Sequence, residues 1–536
     1  MKNFFLCLII LLAGILRLYR LDSNPPSLYW DEASLGYNAY SILASGKDEH
    51  GERFPLARFI AFGDYKPPGY IYSAAASIGI FGINEFGVRF PSSLAGILMT
   101  IFTYLLLKKI FKSNKLSLLA SFLFALSPWS IHLSRVAFEA NLAAFFNLAG
   151  IYFFIKGKKS GLYILFSALF FLFSFYTFNA NRIIAPLIYL MLSLIFFRST
   201  IVNIKWHTLS IMVCLILLIP SIDFLKSQNS KLRFQEVSIF NNLSPIILSN
   251  QRMAVDGNSF LSGLIHNRRF LYFKDYLKHF SDNFSGRFLF THGDVNPRLS
   301  VQGMGQLYFL DLPFFVVGLI YLIFKRDKIT FLIFFWMLLS VTAAGTARET
   351  PHALRIASIL PAYQIIIAIG LYQFVLWIKK IFSKNIYYSV TLVSCILYLF
   401  NFLYYLHLYH IHFPSNWSGE FQYGTREMVS YVNSIKPNYD RIFVSPEIGR
   451  PYIFFAFYTP ILPAEFQKNS VALKDGFGFW NVSSVGNIDF NLQGLNNFSE
   501  KSLLVTTKNN LPAPYRLIKI INNLGGNPVF YIADNL

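Results

Sequence analysis

Charge is scarce in this chain. Only 14% of its 536 residues are Asp, Glu, Lys or Arg, against about 25% in a soluble domain, and the apolar stretches hold almost none of them. That excludes an ordinary water-soluble protein. Cysteine is rarer still: Cys7, Cys214 and Cys395 all fall in apolar runs, which excludes a disulfide framework and a thiolate metal site. There is no Gly-rich phosphate loop, no CxxC or HExxH cluster and no internal repeat. The first apolar run has no small-residue cleavage site, so it reads as a retained helix and not as a removed signal peptide.

What is present is apolar and aromatic: 54% hydrophobic residues, with 58 Phe and 31 Tyr. Repeated apolar runs of roughly 20 residues make this a polytopic α-helical membrane protein. The net charge of +20 would suggest nucleic acid in a soluble chain. Here the excess sits in short loops between spans, where topology and anionic headgroups account for it.

About eleven spans are expected, over residues 3–21, 91–111, 116–133, 138–155, 161–178, 183–197, 207–222, 309–324, 329–345, 355–378 and 386–405. The Ala-, Gly- and Ser-rich run 67–84 suits a re-entrant or interfacial helix. Basic clusters near 112, 157, 200, 326 and 381 fall on alternate sides and assign those loops to the cytoplasm. The N-terminus is then cytoplasmic. The first outer loop (22–66), the long loop 223–308 and the tail share the outer face of the cell membrane. The organisation expected is a membrane domain over 1–405 and an extracytoplasmic α/β domain over 406–536. The tail's strand-like runs are 441–444, 502–505 and 528–532, and its helical run is near 424–435.

Chemistry concentrates on that outer face. Asp31 and Glu32 sit beside the end of the first span, where ionisable groups are expensive and a functional reading is the default. Acids also favour helix N-termini, so a solvated cap is the plain alternative. The short outer turns bring Arg135 and Glu139, then Arg182, then His352 and Arg355. Arginine on the outer side runs against the topological bias, and a guanidinium binds phosphate in two-point fashion. The plain readings are a helix-surface pair for Arg135 and Glu139 and snorkelling for Arg182. Asp48, Glu49 and Glu52 read as a solvated loop. Carboxylates and cations at one membrane face suggest group transfer from a phosphate-linked, lipid-borne donor. A carboxylate would take the acceptor proton, and cations would meet the charge on the departing phosphate.

The pair Asp31-Glu32, followed by Lys66-Pro67-Pro68, resembles the first outer loop of GT-C membrane glycosyltransferases of glycosyltransferase family 39. That family holds the protein O-mannosyltransferases and the aminoarabinose transferase that modifies lipid A. Residues 84–96 are similar to its entry into the second span, and residues 127–139 to its second acidic turn. The likeness is weaker at 293–298 and 351–355 and absent beyond 410. The resemblance implies a GT-C fold and an inverting transfer from a polyprenyl-phosphate sugar to a protein, lipid or glycan acceptor. It implies Asp31 as base, with Glu32 and Glu139 shaping the pocket. Lys66, Arg135, Arg182 and Arg355 become candidates for the donor phosphate, with His352 beside Arg355. No β-trefoil repeat and no WWD signature is present. No cofactor is required, and a divalent metal is allowed but not indicated. The two prolines fix an extended turn and hold Lys66 at the entrance of the next helix. The competing functions are a lipid-linked saccharide transporter and a surface polysaccharide polymerase or ligase.

Overall fold

The computed structural model describes residues 2–62, 64–474, 480–495 and 500–536. Among the described residues, the helices over the first part of the chain are α1 (Lys2–Leu18), α2 (Trp30–Ser45), α3 (Pro68–Phe81), α4 (Glu85–Phe111), α5 (Asn114–Leu126), α6 (Pro128–Ser134), α7 (Glu139–Gly157), α8 (Leu162–Phe175) and α9 (Asn181–Ile195). Strands β1 (Phe59–Ala61) and β2 (Asp64–Lys66) form an antiparallel hairpin between α2 and α3.

Among the described residues, six helices are long and apolar enough to cross a membrane: α4, α7, Ile204–Lys226, Lys328–Thr346, Ala357–Ile381 and Lys384–Phe421. Helices α5 and α6 make a seventh if counted as one span bent by 58°. The weakly apolar run after the first loop forms α3, only 14 residues long.

The chain divides into two compact units. One comprises Met1–Ala13, Gly96–His132 and Ala140–Phe402; the other comprises Gly14–Ala95, Leu133–Glu139 and Leu403–Leu536. This division does not follow a boundary at 405/406, because the tail clusters with the first loop. The first unit is helical. A buried polar chain runs through it: Asn147 Nδ2 donates to Ser358 Oγ at 3.0 Å, and Ser358 Oγ to Asn181 Oδ1 at 2.9 Å. Asn181 Nδ2 then donates to Ser174 Oγ at 2.7 Å. Apolar helices gain little from packing on one another in lipid, so such bonds help to select partners.

The second unit holds the mixed sheet of the tail. Strands β3 (Arg441–Val444), β4 (Ser470–Lys474), β5 (Trp480–Val485), β6 (Ile488–Asp489), β7 (Ser502–Thr506), β8 (Arg516–Asn522) and β9 (Pro528–Asp534) are ordered β4-β5-β6-β3-β7-β9-β8. The runs read as strands at 441–444, 502–505 and 528–532 are β3, β7 and β9. Strand β3 is central and parallel to both β6 and β7, and its Ile442, Phe443 and Val444 are buried.

Most of the segment read as a polar loop is also structured in this unit. Acidic residues in the first turn of α2 suit its positive end. Gly46, in the left-handed region at φ 67°, ends it in the manner of a glycine C-cap. Residues 32–39 of α2 are all buried. A Cβ on Gly36 would come within 2.5 Å of Phe457 and 2.7 Å of Val88, so only glycine permits this packing.

Candidate active site

Asp31 lies in the first turn of α2. Lys66 ends β2, and Pro67-Pro68 turn the chain straight into α3, with Pro68 as its first residue. Proline fits there because that position has no intrahelical acceptor to satisfy. Glu139 opens α7. These three side chains converge: Lys66 Nζ lies 2.7 Å from Asp31 Oδ1 and 3.4 Å from Glu139 Oε1. The second oxygen of Asp31 accepts Trp30 Nε1–H at 3.1 Å. Asp31 remains 32% accessible, whereas Lys66 keeps only 8%. The lysine is a charge set into the wall, and the aspartate faces outward.

Glu32 plays a different part from its neighbour. It is fully buried and bound by Arg89 at both oxygens, 2.9 Å each. Glu32 Oε1 also accepts the Ala137 amide at 2.8 Å. Arg89 in turn donates to the carbonyls of Leu21, Pro25 and Ser27. One buried ion pair thus ties the start of α2, the start of α4 and the approach to Glu139. Arg135 is likewise spent on structure. It is fully buried and donates to the carbonyls of Leu16, Tyr19, Arg20 and Asn24 and to the Tyr409 hydroxyl. It sits between α6 and α7 and not one helical turn before Glu139 on a common helix, so the helix-surface pairing does not form.

The remaining phosphate candidates belong to the other compact unit. The Arg182 guanidinium stacks on Phe224 and Phe175, 5.4 and 6.0 Å from the ring centroids. Arg355 donates to the Glu349 carbonyl at 2.9 Å and lies 3.7 Å from its carboxylate. The His352 amide donates to Asn283 Oδ1 at 3.0 Å. Asp294 joins the two weakly family-like turns: it accepts the amides of Asn296 (2.9 Å) and Ala353 (2.7 Å). Burial pushes its carboxyl above the usual range. Among the described residues, no group of three His, Cys, Asp or Glu side chains is placed to hold a metal ion.

Sequence reasoning missed Arg89. Its signal was an arginine near the start of an otherwise apolar span, which requires a buried acceptor. It also misplaced Asp48 and Glu49, which are 0% and 1% exposed. Asp48 Oδ1 accepts the amides of His50 and Glu52, the Glu49 amide donates to Asn38 of α2, and Gln467 caps the Asp48 carbonyl. The loop's own amides and a tail residue therefore draw the pair inward. The Glu49 carboxylate is closed in beside Asn38, Tyr452 and His50, whose Nε2 lies 3.6 Å from Oε1. Burial first, and then Asp48, raise Glu49 to about 8; burial raises Asp48 to about 6 and lowers neighbouring His50 to about 4.

An acid whose folded pKa is raised destabilises the fold as pH climbs from its unfolded value towards the folded one. Glu49→Gln is therefore expected to match the parent near pH 4.5. It should be the more stable by roughly 3 kcal/mol at pH 7, with the gap complete above pH 8. Thermal unfolding of the detergent-purified chain across that range checks this.

Residues 7–226 match the family model described as dolichyl-phosphate-mannose-protein mannosyltransferase. No protein of curated function matches the sequence. Among solved structures, ArnT from Cupriavidus metallidurans in the apo state superposes with a TM-score of 0.58 at 11% identity, over 100% of this chain and 98% of that one. The fold is that of the GT-C membrane glycosyltransferases. The same ArnT bound to undecaprenyl phosphate gives a TM-score of 0.56 at 10% identity, over 100% and 99% of the two chains. The oligosaccharyltransferase AglB from Archaeoglobus fulgidus, in complex with an inhibitory peptide and a dolichol-phosphate, gives 0.50 at 12% identity over 85% of this chain. This chain spans 63% of the length of AglB. The family match ends at 226 and takes in Asp31, Lys66, Arg89 and Glu139, so it covers every side chain of the converged cluster.

Proposed function

We propose that this GT-C protein transfers a sugar from a polyprenyl-phosphate donor to an acceptor hydroxyl, with inversion, on the outer face of the cell membrane. The observation that carries the reading is the convergence of Asp31, Lys66 and Glu139 on one lysine nitrogen. Asp31 takes the acceptor proton as the acceptor oxygen bonds to C1 of the sugar. The bond from C1 to the phosphate oxygen breaks, and the electron pair leaves on the phosphate, beside Lys66. Glu139 holds the other side of the lysine. Glu32, Arg89 and Arg135 are positioning residues behind this centre. Arg182, His352 and Arg355 remain candidates for the donor phosphate. In this reading no metal is needed, and membranes stripped with EDTA are expected to keep their transfer rate within about twofold.

ArnT with undecaprenyl phosphate and AglB with a dolichol-phosphate support a lipid phosphate as the donor's carrier. The family model supports a protein acceptor and mannose among the hexoses. Adding to the six long helices the bent pair, the shorter apolar helices α1, α8 and α9, and Asp311–Lys325 supports eleven crossings.

The deciding experiment incubates membranes bearing the full chain with a panel of radiolabelled polyprenyl-phosphate sugars. Transfer of one label to a macromolecular acceptor is expected. Movement of labelled lipid across vesicles with no transfer overturns the reading in favour of a transporter.

A further inference from the structure

A second polar site lies away from Asp31, Lys66 and Glu139. It is a cavity of about 460 Å³ whose walls include Arg20, Asp22, Asn24, Glu85, His410 and Arg426. That volume is in the range of small-ligand pockets. The cavity opens just past the end of α1, and His410 lies in the π-helical turn Leu408–His412 that continues the last long apolar helix beyond its α-helical part, Lys384–His407. α1 ends here and the regular α-helical course of the last long helix stops here, which puts the site at a membrane boundary.

Its charges are incompletely matched. Arg426 pairs with Glu85 at 2.9 Å, but among the described residues neither Arg20 nor Asp22 forms an ion pair. Arg20 is held in the left-handed region at φ 51°, a conformation that costs an L-residue about 1 kcal/mol. Its carbonyl accepts the Asn24 amide at 2.9 Å and the Arg135 guanidinium at 3.3 Å, so the strained turn is fixed from behind. Asn24 is 5% exposed. Its Nδ2 donates to the Tyr409 carbonyl at 3.2 Å and lies 3.0 Å from His410 Nδ1, while its Oδ1 accepts nothing. A buried acceptor left without a donor is costly and calls for a ligand N–H or O–H.

Exposed apolar side chains flank Arg20 and His410 along the chain. Tyr19 packs edge-on against His410 with centroids 5.9 Å apart. Ile15, Tyr19, Leu403, Tyr404 and Ile411 are all exposed, as lipid-facing side chains are. A cation, an anion and an orphan acceptor, on segments whose flanking residues are apolar and exposed, match an amphiphile with phosphate and a hydrogen-bearing ammonium in one headgroup.

We propose that this cavity binds the headgroup of an aminophospholipid of the phosphatidylethanolamine class. The phosphate lies against Arg20 and Arg426, and the ammonium between Asp22 and Asn24 Oδ1. A neutral saccharide would leave the Arg20 charge unmet. A quaternary ammonium has no N–H for Asn24, and a purely anionic headgroup would face Asp22. The inference rests on the chain's membrane placement and not on the transfer reaction; no sugar transfer is measured in its test, so its failure leaves that assignment standing.

The test follows thermal unfolding of the full chain, delipidated in detergent, on titration with phosphatidylethanolamine, phosphatidylcholine, phosphatidylglycerol or inorganic phosphate. Phosphatidylethanolamine is expected to raise the unfolding temperature with an apparent affinity at least about tenfold above phosphatidylcholine, a difference of about 1.4 kcal/mol. Inorganic phosphate should leave the temperature unchanged. Arg20→Gln should remove the shift, Arg20→Lys should restore part of it, and Asp22→Asn should move the preference towards phosphatidylglycerol. Equal responses to the three lipids, a full shift in Arg20→Gln, or the same shift with inorganic phosphate alone would each overturn the proposal. Should Arg20→Gln not fold, Arg20→Lys and Asp22→Asn decide the outcome through lipid preference alone.

Discussion

Asp31→Asn is expected to lower sugar transfer by roughly 10³-fold, within the range for losing a positioned general base. The substitution keeps the shape of the side chain, and its oxygen can still meet Lys66 or Trp30. The chain should insert and unfold as the parent does. The loss should therefore fall on kcat and leave the donor's KM within a few-fold. Lys66→Met is expected to cost roughly 10² to 10³ by a different route: it removes the charge proposed to meet the departing phosphate and leaves Asp31 and Glu139 without their shared cation. Because Lys66 contacts Asp31 at 2.7 Å, the double variant should lose little more than the worse single one, as groups acting as a unit do. Rates with a labelled polyprenyl-phosphate sugar in membranes decide this. Full activity in Asp31→Asn would show that the base lies elsewhere.

The second large effect is structural. Arg89→Met should destabilise the chain by about 3–5 kcal/mol, the cost of removing one partner of a buried ion pair. Glu32 would keep its charge in a closed interior, and three carbonyls would lose their donor. Glu32→Gln should cost less, because its amide oxygen can still accept from Ala137. The Glu32→Gln/Arg89→Met double variant should recover part of the loss, since no net charge then stays buried. The unfolding temperatures of the three variants in detergent test this ordering. If Arg89→Met alone unfolds at the parent's temperature, the brace assigned to this pair is absent.

The residues that meet at Lys66 were legible in the sequence because each sits at the edge of a strong local signal. Asp31 follows an apolar run, Lys66 precedes two prolines, and Glu139 opens another apolar run. The separation of roles between Asp31 and Glu32 was not legible. Adjacent positions on a helix point about 100° apart, and only the packing around α2 decides which carboxylate faces solvent and which meets Arg89. Arg135 looked like a phosphate ligand because outer arginines oppose the charge bias; main-chain carbonyls supply a second reason for such a residue. Asp48 and Glu49 looked solvated because the sequence does not tell that Gln467, over four hundred positions later, closes over them. The tail's central strands were readable from their β-branched runs. Its antiparallel β4–β5 pair was not, because neither Ser470–Lys474 nor Trp480–Val485 is a sustained β-branched run.

Those remote neighbours recur. Gln422 accepts the Trp30 amide at 2.9 Å, one residue before Asp31. Arg426 meets Glu85, the Ile461 carbonyl takes the Tyr37 hydroxyl, and Gln467 caps Asp48. The tail therefore finishes the first loop and does not merely follow it. For protein engineers, its exchange for the tail of a protein of similar fold is a transplant across four sutures. A chimera joined near residue 405 should lose the order of α2 unless the donor tail brings its own counterparts of Gln422, Arg426 and Gln467. For lineages of this fold, loop and tail are expected to drift as a linked pair, each limiting the changes open to the other.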